Sequence, residues 1–382
     1  PVTIGPAQGI DGMAWLRAHR WRIGYFALLT AVVAHFCLVY ATRTTTYMDL
    51  DRYIAGTERL PFQYRALTAW IGGGIHWALG KIGMLGALPK PFDNGALTAF
   101  TILNFASLFI AILATAASVR LLTRDEKFAR LAAFLVPLMG LYNYLLMVGN
   151  WPLAYPYDLP QLALFALCLL AMIAGRTIVF HALFVLAALN RETALFLVAI
   201  YALYHFGPLI QDALRGSDRS LSRRAGDLIR AALAQHGRIV ACLLLQLAIL
   251  VACRALVLSL YGGNQPDTLT VAAGSLSFAN LSKNLSHLAN PIYWPSLLSN
   301  FAFLWLPLIF GLRYVRHPGL RYTPLVAIPW LAAMMLVGVL VEMRVFGELV
   351  SLFAIVLAAM AHDLWTTGAL AAARASPARD RG

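Results

Sequence analysis

Residues 177–206 read TIVFHALFVLAALNRETALFLVAIYALYHF, thirty residues that are apolar on both sides of one polar break, Asn190-Arg191-Glu192-Thr193. A helix crosses the hydrocarbon of a bilayer with about 20 residues. The run is therefore either one long helix with charges in its middle or two short ones that meet at the break. Charges in the neighbouring loops decide. The N-terminal segment carries Arg17, Arg20 and Arg22, the stretch 120–130 carries Arg120, Arg124, Lys127 and Arg130, and the polar stretch 207–238 carries Arg215, Arg219, Arg223, Arg224, Arg230 and Arg238. Basic loops collect on the cytoplasmic side. All three fall there only if 177–206 crosses twice, which puts Arg191 and Glu192 at the outer face.

The same reasoning extends over the chain. Further apolar runs lie at about 23–42, 96–119, 131–149, 159–174, 239–260, 297–312, 324–341 and 346–365. With two crossings in 177–206 they predict an all-α polytopic membrane protein of ten transmembrane helices, with both termini cytoplasmic. The expected organisation is an N-terminal segment 1–22, one transmembrane domain 23–365 and a basic tail 366–382. Within that domain lie outer loops 43–95 and 262–296 and the cytoplasmic basic loop 207–238. Ile23 to Thr42 is too long for a signal-peptide core and is read as a retained first helix. In the first outer loop, Pro61-Phe62-Gln63-Tyr64-Arg65 opens a Trp/Ile/Leu-rich stretch to Leu88, expected as one or two interfacial helices rather than a span.

Composition agrees. Of 382 residues 60% are hydrophobic and 12% charged, against roughly 25% charged in an average soluble domain. The 30 Lys and Arg against 17 Asp and Glu give +13. In this context the excess marks cytoplasmic loops, and nucleic acid is not an expected partner. Cys37, Cys168, Cys242 and Cys253 sit in apolar runs without ligand spacing and read as packing residues. Two Asn-Leu-Ser sequons at 280 and 284 carry little weight.

Charges beside hydrocarbon persist mainly where they pair or line a cavity. The topology places Asp49, Asp51, Glu58, Asp93, Asp158, Glu192, Asp267, Glu342 and Glu348 on or near the outer face, with Arg65, Arg191, Arg254 and Arg344, and this predicts one polar pocket. Each residue has a plainer reading. Asp49 and Asp51 fit a solvated loop, Asp158 in Tyr155-Pro156-Tyr157-Asp158 fits a helix cap, and Asn190–Thr193 fits a surface hairpin. Arg344 and Glu348, four apart, fit a salt bridge along one helix face. Arg254 fits a side chain snorkelling outward, and Tyr64-Arg65 a lipid anchor. His35, His181 and His205 read as packed or interfacial residues.

Taken as a set, these pieces resemble the C-type glycosyltransferase superfamily, multi-span enzymes that use polyprenyl-phosphate-linked sugars. The resemblance rests on the acidic Asp49/Asp51, Pro-Phe-Gln-Tyr-Arg at 61–65, Tyr-Pro-Tyr-Asp at 155–158, Asn-Arg-Glu-Thr at 190–193 and Glu-Met-Arg with Glu348 at 342–348. The chain departs from larger members in having Asp-Leu-Asp in place of an adjacent acidic pair.

The resemblance implies a hexosyl- or pentosyltransferase of a bacterial inner membrane, its site facing the periplasm, in cell-envelope polysaccharide biosynthesis. Its donor is a polyprenyl-phosphate sugar; its acceptor is a lipid, glycan or protein; membrane lipids surround it. One carboxylate, Asp49 or Asp51, takes the acceptor's proton. The leaving phosphate meets Arg65, Arg191, Arg254 or Arg344, with Tyr64, Glu342 and Glu348 in the pocket. A divalent cation, Mg or Mn, is an optional cofactor that Asp158 and Glu192 would hold. A polysaccharide polymerase or ligase, or a secondary transporter or flippase for a lipid carrier, are the alternatives.

Overall fold

A computed structural model describes residues 12–42, 48–146, 154–215, 237–265 and 278–375. All regular structure among the described residues is helical. The longer helices are α1 (Gly12–Thr42), α4 (Gly95–Thr123), α5 (Glu126–Gly140), α8 (Leu195–Arg215), α9 (Gly237–Tyr261) and α15 (Leu349–Ala375). Between them run α2 (Leu50–Ala55), α3 (Ala66–Lys81), α6 (Asp158–Ile173), α7 (Thr177–Asn190), α10 (Phe278–Ala289), α11 (Trp294–Ser299), α12 (Trp305–Gly311), α13 (Pro318–Tyr322) and α14 (Ala327–Val337).

Seven helical stretches are long and apolar enough to cross a membrane; α6 and α7 are apolar but shorter. The chain is thus an all-helical protein with the helices of a membrane protein. The 16-residue α3 is not among those stretches.

The helix α4 is the hub, packed against α1, α3, α5, α6 and α15. The whole first half of α6 and the stretch 349–360 of α15 are buried, so these two form the interior of the bundle. By contrast α9 exposes Leu244, Leu245 and Val251 and stands at the periphery. Caps mark where helices start. Asn94 accepts a hydrogen bond from the Leu97 amide and Asp125 from the Lys127 amide, satisfying N–H groups that the first helical turn leaves open.

The run 177–206 divides at the polar break. Asn190 ends α7, and its amide donates to the Tyr157 carbonyl and to Gln161 Oε1, while Thr68 donates to its Oδ1. Arg191 is then fully extended (φ −162°, ψ 146°), and one 3₁₀ turn, Glu192–Ala194, starts α8. The alternative of a single long helix fails because Asn190 is bonded sideways into α6 and the chain must turn to allow it.

Two expectations need correction. The apolar run 297–312 is not one helix. It breaks at Phe301, Ala302 and Phe303, all left-handed (φ 55°, 56° and 62°), and its two halves are bent by 64°. The polar loop expected at 207–238 starts later, since α8 continues to Arg215; residues 216–236 lie outside those described. The loop expected at 262–296, of which 266–277 lie outside the described residues, contains α10. On α10, Asn284 donates to the carbonyls of Met334, Met335 and Gly338 and accepts from the Leu340 amide. The sequon asparagine thus closes the C-terminus of α14, whose last carbonyls have no helical partner.

Candidate functional site

Most of the expected site residues come from helix ends. Tyr64 and Arg65 precede α3, Asp158 starts α6, Arg191 and Glu192 lie between α7 and α8, Arg254 is in the last turns of α9, and Glu342, Arg344 and Glu348 precede α15. Successive antiparallel helices bring such ends to one side of a bundle, and the ion pairs confirm that they meet there.

Asp158 lies at the centre and is fully buried. It is the first residue of α6, but its carboxylate makes no capping bond. Arg191 donates to Oδ1 at 3.1 Å, and Tyr40 and Arg344 donate to Oδ2 at 3.3 and 3.5 Å. Arg191 also donates to Glu348 Oε1 at 2.8 Å, which Thr193 reaches at 3.0 Å. Arg344 donates to Glu342 at 2.6 Å and lies over the Tyr155 ring at 4.1 Å. The plainer reading of an Arg344–Glu348 pair on one helix face therefore fails. The segment 338–348 is not an α-helix, and the two side chains bind different partners, Arg344 with Asp158 and Glu342, Glu348 with Arg191.

A second group lies nearer solvent. Glu192, 49% exposed, sits between Arg65 (3.9 Å) and Arg254 (3.5 Å). Arg254 stacks on Tyr64 at 4.1 Å, and Arg65 donates to the Tyr157 hydroxyl at 2.7 Å while covering its ring. Cation–π contacts of this kind hold a guanidinium flat against a wall. Arg254 and Tyr64-Arg65 are thus parts of one rim rather than separate anchors. The loop before α6 joins the two groups. Phe62, Tyr155 and Tyr157 stack in a column with centroids 5.4 and 5.3 Å apart, and the Tyr40 hydroxyl pins the Tyr155 backbone by two bonds.

Asp49 and Asp51 sit at the edge of this assembly. Asp49 is 54% exposed; its Oδ1 caps α2 by accepting from the Asp51 and Arg52 amides, and Arg52 lies 3.9 Å from Oδ2. Asp51 is exposed in the first turn of α2 and makes no side-chain bond among the described residues. Their helix is tied to the rim through Tyr53, whose hydroxyl donates to the Arg65 carbonyl. No direct contact joins either Asp to the buried group among the described residues. Nearby Glu58 is buried with Arg59 3.5 Å from its Oε1, and burial pushes its carboxyl above the usual range.

Asp158 and Glu192, the two metal candidates, belong to different groups, and each carboxylate is already bonded to two guanidiniums. Among the described residues no three His, Cys, Asp or Glu side chains gather as metal ligands. A donor set flanked by four arginines does not fit a divalent ion, and no step below uses one. Tyr40, Tyr155, Tyr157 and Thr193 also belong to the site. The two loop tyrosines stand in the Tyr-Pro-Tyr-Asp motif and Thr193 in Asn-Arg-Glu-Thr, so the motifs contained them; Tyr40, inside an apolar run, carried no such signal.

Comparison with known protein families, characterised proteins and solved structures yields no match. The reading of the site rests on its own geometry.

Proposed function

We propose that this chain transfers a sugar from a polyprenyl-phosphate-linked donor to an acceptor hydroxyl at the extracytoplasmic face of a bacterial inner membrane. The observation that carries the reading is the gathering of four arginines and four carboxylates from distant parts of the chain at one end of the bundle, with the Arg65–Glu192–Arg254 rim open to solvent. The topology that goes with it counts ten spans, the seven long helices, the bent pair at 291–314 and the shorter α6 and α7. Both termini are then cytoplasmic, and α3 lies in the interface at the edge of the site.

In this reading the lipid phosphate docks at the rim. Arg254 and Arg65 outnumber the one carboxylate there, and Tyr64 supplies a flat wall. The buried Arg191 and Arg344 are held by Asp158, Glu342 and Glu348 and shape the floor. The acceptor oxygen attacks the anomeric carbon as the bond from that carbon to the phosphate oxygen breaks. A carboxylate takes the hydroxyl proton, and the departing phosphate gains charge that the rim guanidiniums offset. Of the two candidate bases, Asp51 is the better placed, because Asp49 already caps α2. A transporter reading calls for charges near mid-membrane, whereas these stand at helix ends.

Membranes bearing Asp49→Asn, Asp51→Asn and the double variant should be assayed with undecaprenyl-phosphate hexoses and pentoses. Loss of a general base lowers turnover by about 10²–10⁴-fold, and we expect this for Asp51→Asn. Full transfer by the double variant would overturn the assignment of the base.

A further inference from the structure

Three irregular stretches of backbone meet behind the buried arginines. One is the wide π-turn Leu141–Leu145 at the end of α5; the second is the left-handed turn Phe301–Phe303 in the broken helix; the third is the segment 338–348 that carries Glu342, Arg344 and Glu348. A π-turn inside a helix is uncommon and often marks a functional place. Here its widening delivers one side chain, Asn143, to both of the other stretches.

Asn143 is fully buried. Its Oδ1 accepts from the Phe301 amide at 2.8 Å, and its Nδ2 donates to the Met343 carbonyl at 3.3 Å. The first bond holds a left-handed turn made of three residues that are not glycine, a conformation that L-residues adopt only when their surroundings impose it. The second holds the residue immediately before Arg344. Other bonds fix the rest of the segment. Asn284 grips Gly338 and Leu340, the Trp330 indole donates to the Val345 carbonyl, and the Tyr144 hydroxyl lies where a side chain at Gly347 would stand. Asn143 ties it to the broken helix by a side-chain bond.

Resting on the transfer reading above, we propose that Asn143 is the positioning residue of Arg344, locking its segment to the left-handed turn of the broken helix so that the guanidinium stays between Asp158 and Glu342. It touches neither substrate nor reacting atoms and acts through the Met343 backbone.

The test has two arms on the full chain in detergent micelles. In the first, hydrogen exchange is followed in peptides covering 300–304 and 338–348. Asn143→Leu, close in volume, removes both bonds and should speed exchange in both peptides roughly tenfold, the effect of losing one buried hydrogen bond. Asn143→Asp, measured at about pH 8, keeps an acceptor for Phe301 and no donor for Met343, and should speed only 338–348. It carries the arm if the Leu variant does not fold. Unchanged exchange in 338–348 with Asn143→Asp overturns the proposal.

The second arm compares transfer from undecaprenyl-phosphate sugars in Asn143→Leu, Arg344→Lys and the double variant. A residue acting through Arg344 adds no further loss once Arg344 is altered, so the double should match Arg344→Lys. Losses that multiply indicate a role in stability alone and refute this proposal while the transfer reading stands. A wild-type protein that transfers nothing from any donor refutes both.

Discussion

Replacing Arg191 with Met removes the guanidinium that bridges two fully buried carboxylates, Asp158 at 3.1 Å and Glu348 at 2.8 Å. Met keeps a flexible apolar stem of similar reach, so the change is mainly one of charge. Glu348 is left with the Thr193 hydroxyl, its Oε2 being already without a partner, and Asp158 with Tyr40 and a longer bond to Arg344. Removing one partner of a buried ion pair costs about 3–5 kcal/mol, because a charge remains where water cannot reach it. Arg191 serves two such charges, so the upper part of that range, about 4–5 kcal/mol, is expected.

The interior layer contains three carboxylates for two guanidiniums, which makes a compensating change available. Adding Glu348→Gln to Arg191→Met removes the stranded charge while its amide oxygen still accepts from Thr193. The double variant should recover about 2 kcal/mol, within the coupling of 0.5–3 kcal/mol usual for residues in contact. Reversible unfolding in mixed micelles of mild detergent and SDS, followed by tryptophan fluorescence, measures both values. A double variant no more stable than Arg191→Met, or a single variant costing under about 1 kcal/mol, would refute a network held by buried charge.

Two other substitutions address the backbone and the segment after α2. Ala302 is left-handed (φ 56°), which costs an L-residue roughly 1–2 kcal/mol; Ala302→Gly should raise stability by about 1 kcal/mol, less the freedom glycine adds to the unfolded chain, and a loss in the same unfolding assay would show that the turn is unstrained. Glu58 has a carboxyl raised above 4.5 by burial, so its contribution to stability is present at lower pH and falls as the pH rises through the folded-state value. Glu58→Gln should therefore gain on the wild type in melting temperature between pH 4.5 and about 7, and a difference independent of pH would contradict this.

Helices were legible in the sequence because hydrocarbon imposes a simple rule, a long apolar run with charges kept at its ends. Division of 177–206 followed from the basic loops around it, which share one side only if the run crosses twice. The cluster of charges was legible for the same reason as the helices. Asp158, Arg191, Arg344 and Glu348 are costly beside lipid and persist by pairing. The partners were not. A spacing of four suggested Arg344 with Glu348, but that presumes a helix, and the segment 338–348 is held by side chains from elsewhere. Breakage of 297–312 was equally hidden. Phe301, Ala302 and Phe303 carry no glycine or proline signal, and their left-handed turn depends on Asn143, more than 150 residues away.

The two layers of charge at the end of the bundle have opposite sign. At the rim two guanidiniums face one carboxylate, and beneath it two face three. An anion placed at the rim would face Arg65 and Arg254 first and an excess of carboxylates one layer further in, where low dielectric strengthens every interaction. Such an arrangement acts as a depth gauge. Under the transfer proposed above, the donor phosphate would stop at the rim while the neutral sugar reached the buried floor, and inverting either layer would move that stopping point.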